Sequence, residues 1–133
     1  MCLRRRVALH TVIPTANEMI NMERRNKYLA AKLKASTERD LIREIVALKY
    51  TCLTTTKHEE TQYPVHMTYT WHRKNKRTDP SNVAWGTKYI EDALQRAGVL
   101  RNDGPREIAS ITHQYVYDAD ENYVEVEWCS EPS

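Results

Sequence analysis

Glycine and proline are scarce in this chain, with 3 and 5 of them among 133 residues. So few leave no room for a long flexible linker. Periodic segments run almost from end to end without an internal repeat, which predicts one domain over residues 1–133. The hydrophobic share of 41% is enough for a single core. Cysteine is nearly absent too: Cys2, Cys52 and Cys129 are odd in number, far apart, and form no Cys-x-x-Cys clip. That pattern predicts reduced thiols in a cytoplasmic protein. No apolar run approaches the ~20 residues that span a bilayer, so no membrane partner is expected. The start is basic through Arg4, Arg5 and Arg6, but the apolar stretch behind it is broken by His10 and Pro14, a poor signal peptide.

Other absences narrow the chemistry. There is no His-Glu-x-x-His and no glycine-rich phosphate loop, so zinc-hydrolase and NTPase readings lack support and no nucleotide cofactor is expected. His66 and His72 share one strand face, yet strand geometry puts them about 20 Å apart, too far for a shared zinc ion.

Charge is present, and it is unevenly spread. The net charge is only +2, but residues 1–100 carry 18 Lys and Arg against 10 Asp and Glu, while residues 101–133 carry 2 against 8. A basic body can attract phosphates while the acidic end keeps the chain soluble.

Residues 7–13 are β-branched and apolar and stop at Pro14, which predicts a strand. Residues 17–34 are mixed and polar, with helical turns. Ser36 or Thr37 then resembles an N-cap, and Leu41, Ile42, Ile45, Val46 and Leu48 recur at helical spacing to about residue 50. Residues 51–62 read as a polar loop. Over 64–72, Val65, Met67, Tyr69 and Trp71 alternate with His66, Thr68, Thr70 and His72, the pattern of a half-buried strand. Asp79 and Pro80 then open a second helix whose apolar face is Val83, Tyr89, Ile90, Ala93, Leu94 and Ala97, with Gly98 as its cap. Residues 108–117 and 122–128 read as strands joined by a hairpin turn. The order predicts an α/β (α+β) fold, a mixed sheet with helices packed mainly on one face.

The most informative stretch is 73–103. Arg73, Lys74, Lys76 and Arg77 form a basic run, followed by Asp79-Pro80-Ser81-Asn82. A helix holds Lys88 and Asp92-Ala93-Leu94, and Ala97-Gly98-Val99-Leu100 leads to Asn102-Asp103. This ordered combination resembles the RusA-like family of Holliday junction resolvases. In that pattern a basic run enters Asp-x-Asp-Asn, a helix carries Lys and then Asp-Ala-Leu, and an Ala-Gly-hydrophobic stretch ends in Asp-Asp. The resemblance implies catalytic roles for Asp79, Lys88 and Asp103, and a metal site of Asp79 and Asp103 with Ser81 as a possible third ligand. It implies site support from Asn82 and Asp92, and DNA contact by Arg73, Lys74, Lys76 and Arg77. The cofactor implied is Mg²⁺, with Mn²⁺ as substitute. The partners implied are a four-way DNA junction and a second copy of the chain, in a bacterial or phage-infected cell. Convergence of Asp79 and Asp103 requires the chain to fold back after Gly98, which the resemblance also implies. The sequence departs from the pattern at Ser81 and Asn102, each of which stands where the family carries a carboxylate. The alternative is therefore a weakened or inactive protein that binds branched DNA.

Each residue also has a plainer reading. Asp79 before Pro80 is an ordinary helix start. Lys88 and Asp92 are four apart and suit a surface ion pair. Asp103 lies in Asn102-Asp103-Gly104-Pro105, an ordinary turn composition. Tyr69 and Trp71 read as core, and Trp85 as buried packing.

Overall fold

The computed structural model describes residues 4–51 and 61–130. Its elements are β1 (Arg5–Leu9), α1 (Ala16–Arg25), α2 (Lys27–Thr51), β2 (Val65–His72), α3 (Pro80–Ala84), α4 (Thr87–Arg96), β3 (Ile108–Val116) and β4 (Tyr123–Cys129). The four strands form one mixed sheet in the order β1-β4-β2-β3, so the fold is α+β as expected.

The alternation read from β2 is realised in full. Val65, Met67, Tyr69 and Trp71 are buried, and the residues between them are half-buried. β4 alternates in the same way, burying Val124, Val126 and Trp128. These two rows, with Val7 and Leu9 of β1, share one core with Leu41 and Ile45 of α2 and Tyr89, Ile90 and Leu94 of α4. The other row of β2 meets polar neighbours: Thr68 pairs with Thr112 and Glu127, and Thr70 with Gln114 and Glu125. One face is thus apolar and one polar, the usual division of a half-solvated sheet.

β2 lies antiparallel to β4 and parallel to β3. Residues 118–122 therefore do not close a hairpin, contrary to expectation. β2 sits between β3 and β4, and the connection passes over its end. There Arg73 N–H donates to the Val116 carbonyl at 2.8 Å and Ala119 N–H to the Arg73 carbonyl at 3.0 Å. Asp118 takes φ 64°, the left-handed turn this bend needs.

The helical boundaries also shift. β1 ends at Leu9, because the N–H groups of His10 and Thr11 are bound by the Glu44 carboxylate at 2.7 and 3.0 Å instead of by a strand. The helix expected from Ser36 begins nine residues earlier, at Lys27. Asn26 is the cap, its side-chain oxygen accepting from Tyr28 and Leu29 N–H at 2.9 and 3.2 Å. Ser36 and Thr37 lie inside the helix and return their hydroxyls to the Leu33 carbonyl. That back-bond lets a cap-favouring residue sit in a helix interior. The predicted loop over 51–62 lies largely outside the described residues.

The second helix is two helices, broken at Trp85-Gly86. A Cβ at Gly86 would stand 2.7 Å from Ile13 Cγ2, so the bare backbone permits the close approach of residue 13. At the far end Gly98 takes φ 78°. Val99 N–H reaches the Leu94 carbonyl and Gly98 N–H the Gln95 carbonyl, the two bonds of a Schellman cap. Cys129 corrects the expectation of reduced thiols. It is disulfide-bonded, its partner lying outside the described residues. Separation in sequence is a poor guide here, since the sheet pairs Arg5 with Trp128. No helix among the described residues is long and apolar enough to cross a membrane.

Gly86→Ala should lower the stability of the fold by about 1–3 kcal/mol, the usual cost of overpacking. Adding Ile13→Ala should recover part of that loss, giving a non-additive cycle in urea titrations. Additive losses would show that the close approach to Ile13 is not what demands glycine.

Candidate active site

α4 carries the centre of the site. It starts after Gly86 and buries Tyr89, Ile90, Ala93 and Leu94, which turns Lys88 and Asp92 outward. Lys88 and Asp92 form the expected i,i+4 pair at 3.3 Å. The Schellman cap then reverses the chain, and Asp103 returns to α4, where its carboxylate accepts a short hydrogen bond from Lys88 Nζ. Two acidic side chains therefore flank one ammonium. The Asp103 hydrogen bond is the main reason the Lys88 ammonium is held above the ordinary lysine value.

The turn that delivers Asp103 is braced. Its own N–H donates to the Asn102 side chain at 2.9 Å. Arg101 N–H donates to the Tyr63 hydroxyl at 2.9 Å, and the guanidinium lies over the Tyr63 ring. The same guanidinium pairs at 2.8 Å with Glu107, whose carboxylate is almost wholly buried. Asp103 itself is only 19% exposed.

Beneath the ammonium lies a residue that the sequence pattern does not single out. Glu91 is 5% exposed and accepts a 2.7 Å hydrogen bond from the hydroxyl of Tyr69, a residue whose spacing marks it simply as core. Burial pushes the Glu91 carboxyl above its ordinary value; the Tyr69 bond and Lys88 oppose this, and the charges of Asp103 and Asp92 add to it. Burial, then the Glu91 charge, pushes the Tyr69 phenol well above the usual tyrosine range. A sequence signal exists: residues 90, 91 and 94 form one helical stripe, and a glutamate inside an apolar stripe needs a buried partner.

The rest of the motif stands on α3. Asp79 occupies the N-cap position with ψ 144°, but its side chain makes no capping hydrogen bond. The plain capping reading therefore fails for its carboxylate, which is exposed and has no hydrogen-bond or ion-pair partner among the described residues. Ser81 is also exposed and Asn82 half-buried. Tyr115 on β3 fixes this end by donating to the Pro80 carbonyl at 3.1 Å. Among the described residues, no hydrogen bond or ion pair joins Asp79, Ser81 or Asn82 to Lys88, Asp92 or Asp103. The structure thus brings three of the predicted residues together and leaves three on the neighbouring helix. Among the described residues, no group of three or more His, Cys, Asp or Glu side chains is arranged to hold a metal ion.

Four cations precede α3. Lys74, Lys76 and Arg77 are exposed and Arg73 half-buried. None is ion-paired among the described residues, although Lys76 lies over the Tyr117 ring at 5.4 Å. Trp85 is 44% exposed and packs edge-on against Tyr89, so the expectation that it is buried is corrected. His66 and His72 go separate ways as expected, His66 lying 2.6 Å from Ser110 and His72 2.6 Å from Glu125.

Comparison with protein-family models finds no match to this chain, and comparison with curated proteins finds no matching relative.

Burial raises the folded-state pKa of Glu91, so folding favours its neutral form more than the unfolded chain does. Its contribution to stability is complete below the ordinary value of 4.5 and is lost as pH rises through the folded-state titration. Glu91→Gln should therefore melt higher than wild type near pH 7.5, and the difference should shrink below pH 4.5. Tyr69→Phe should lose about 1–3 kcal/mol near neutrality, the cost of leaving a buried acceptor unpaired. Melting curves across this pH range test both, and a Glu91→Gln advantage independent of pH would defeat the assignment.

Proposed function

We propose that the chain is a Mg²⁺-dependent, structure-specific endonuclease of the RusA-like type. It resolves four-way DNA junctions by paired phosphodiester hydrolysis and acts as a homodimer, which offers two sites to a two-fold substrate. One observation carries the reading. The chain folds back after Gly98 and brings the Asp103 carboxylate to the lysine of the motif, the reversal that the implied convergence with Asp79 needs.

The donor chemistry suits the metal. Magnesium takes hard oxygen ligands and is commonly held by one or two carboxylates together with substrate phosphate oxygens. Asp79 and Asp103 would supply the carboxylates and Ser81 a neutral hydroxyl. When bound, the ion polarises the phosphoryl group and acidifies a water molecule. Lys88 stays protonated, because Asp103 favours its charged form. It therefore acts as a fixed positive charge toward the phosphate and not as a base. Asp92 pairs with the same ammonium at 3.3 Å, and Asn82 would hold the loop or meet the substrate. The unpaired cations at Arg73, Lys74 and Arg77, with Lys76, would track the backbone phosphates. We place the protein in the cytoplasm of a bacterial or phage-infected cell; the disulfide at Cys129 is the observation that runs against that compartment.

A second reading is favoured by a specific observation. Ser81 and Asn102 both stand where the resembled pattern carries a carboxylate, so the implied metal site loses two negative charges. A protein so disarmed would bind branched DNA without cutting it.

The test is cleavage of a labelled four-way junction with Mg²⁺ or Mn²⁺, with linear duplex as control. Wild type should give symmetric nicks, and Asp79→Asn and Asp103→Asn should abolish them. Lys88→Met should slow them by about 10²–10³-fold, the usual effect of removing one charge-stabilising group. Ser81→Asp should accelerate them. Salt-sensitive junction binding by wild type, with nicking only in Ser81→Asp, would establish the disarmed binder instead. No junction preference would overturn both readings.

A further inference from the structure

The sheet has two edges, and they are built differently. β1, at one edge, is five residues long and carries Arg5 and Arg6. Its exit is closed by the Glu44 carboxylate, which takes the N–H groups of His10 and Thr11. Short length and charge are the usual means of keeping an edge from pairing with another chain.

β3, at the other edge, has none of these protections along most of its length. Its nine residues, Ile-Ala-Ser-Ile-Thr-His-Gln-Tyr-Val, include no Lys, Arg, Asp, Glu or Pro. It pairs with β2 on one side only, so every second pair of N–H and C=O groups faces outward without a partner among the described residues. Ile111 is 45% exposed on the helical face and Val116 43% exposed on the other. A long, uncharged, apolar edge is a template for a further strand.

We propose that this edge pairs with the same edge of a second copy of the chain, antiparallel, to make one continuous eight-stranded sheet. The strand's own sequence selects the register. The pairing with β2 is irregular next to Ser110 and regular from Ser110 to Val116, so the regular run is centred on His113. Two such runs laid antiparallel about His113 place Ile111 of one copy opposite Tyr115 of the other, twice. They place Thr112 opposite Gln114 and Ser110 opposite Val116. Each pair shares a face, no like charges meet, and β-branched against aromatic is a favourable cross-strand pair. His113 would meet its own copy on the axis. Burial depresses the pKa of this imidazole, which favours its neutral form, and its Nδ1 accepts from Trp71 Nε1 at 3.0 Å. A copy of this chain therefore completes the edge at every position of the regular run. The choice of edge stands on the sheet alone; that the partner is a second copy rests on the homodimer of the nuclease reading, which a dimer surviving Ile111→Lys would leave standing.

The experiment measures mass in solution by sedimentation, without DNA, over a range of protein concentrations. Wild type should be a dimer. Ile111→Lys alters an exposed position, so it should fold with an unchanged circular dichroism spectrum and sediment as a monomer. Register is read by cross-linking: Thr112→Cys and Gln114→Cys proteins, mixed and mildly oxidised, should give a covalent dimer that neither gives alone beyond the wild-type background. Cα atoms opposed across an antiparallel pair lie about 4.5–5.5 Å apart, within disulfide reach. A monomeric wild type would overturn the proposal. So would a dimer that survives Ile111→Lys, or cross-linking by Thr112→Cys alone, which would require a different register.

Discussion

The parallel pairing of β2 with β3 is the constraint on which the rest of this molecule depends. Parallel neighbours cannot be joined by a tight turn, so the chain must leave the end of β2, cross the sheet and re-enter at the start of β3. Everything between them, residues 73–107, is that crossover, and it carries the basic run, both short helices and all the motif residues. Its two ends are tied by backbone hydrogen bonds at opposite ends of β2, Val65 N–H to the Glu107 carbonyl at 2.7 Å and Arg73 N–H to the Val116 carbonyl at 2.8 Å. The candidate site is thus a property of the connection, and the strands supply the frame that makes the connection return.

Within that frame, one row of side chains does two jobs. Tyr69 packs in the core and also carries its hydroxyl up to Glu91, the single acidic side chain that α4 buries. Glu91 follows Lys88 by less than one helical turn. The outer ring of Lys88, Asp92 and Asp103 therefore rests on a buried polar pair, and that pair ties the helix to the strand below. Disturbing the core row at Tyr69 would reach the surface charges through two side chains.

Some of this is legible in the sequence, and the rest is hidden for physical reasons. The strict alternation of β2 is plain because one face is buried and the other is not, and a period of two is the mark of a half-buried strand. The cap at Gly98 is plain because only glycine easily takes its positive φ. The need for glycine at residue 86 is hidden: it lies in the approach of Ile13, a contact between distant residues that no local pattern records. The failed hairpin has a similar origin. A turn sequence between two strands does not reveal that a third strand lies between them. At the site, Lys88, Asp92 and Asp103 stand out through an ordered motif, whereas Glu91 is masked because it sits inside that motif among residues conspicuous for their charge. The state of Cys129 is hidden because a thiol's partner is set by contacts in space that its neighbours in sequence do not record.

The strand order has a temporal consequence. β4 is the last strand in sequence and an interior strand in space, flanked by β1 and β2. Until residue 129 has left the ribosome, β1 has no neighbour in the sheet and β2 has an open apolar flank. Contacts that span nearly the whole chain form slowly, because loop closure must precede them. The nascent chain must therefore carry an unprotected half-sheet until β4 has emerged, and its exposure to misassembly ends only when that strand slides between the other two.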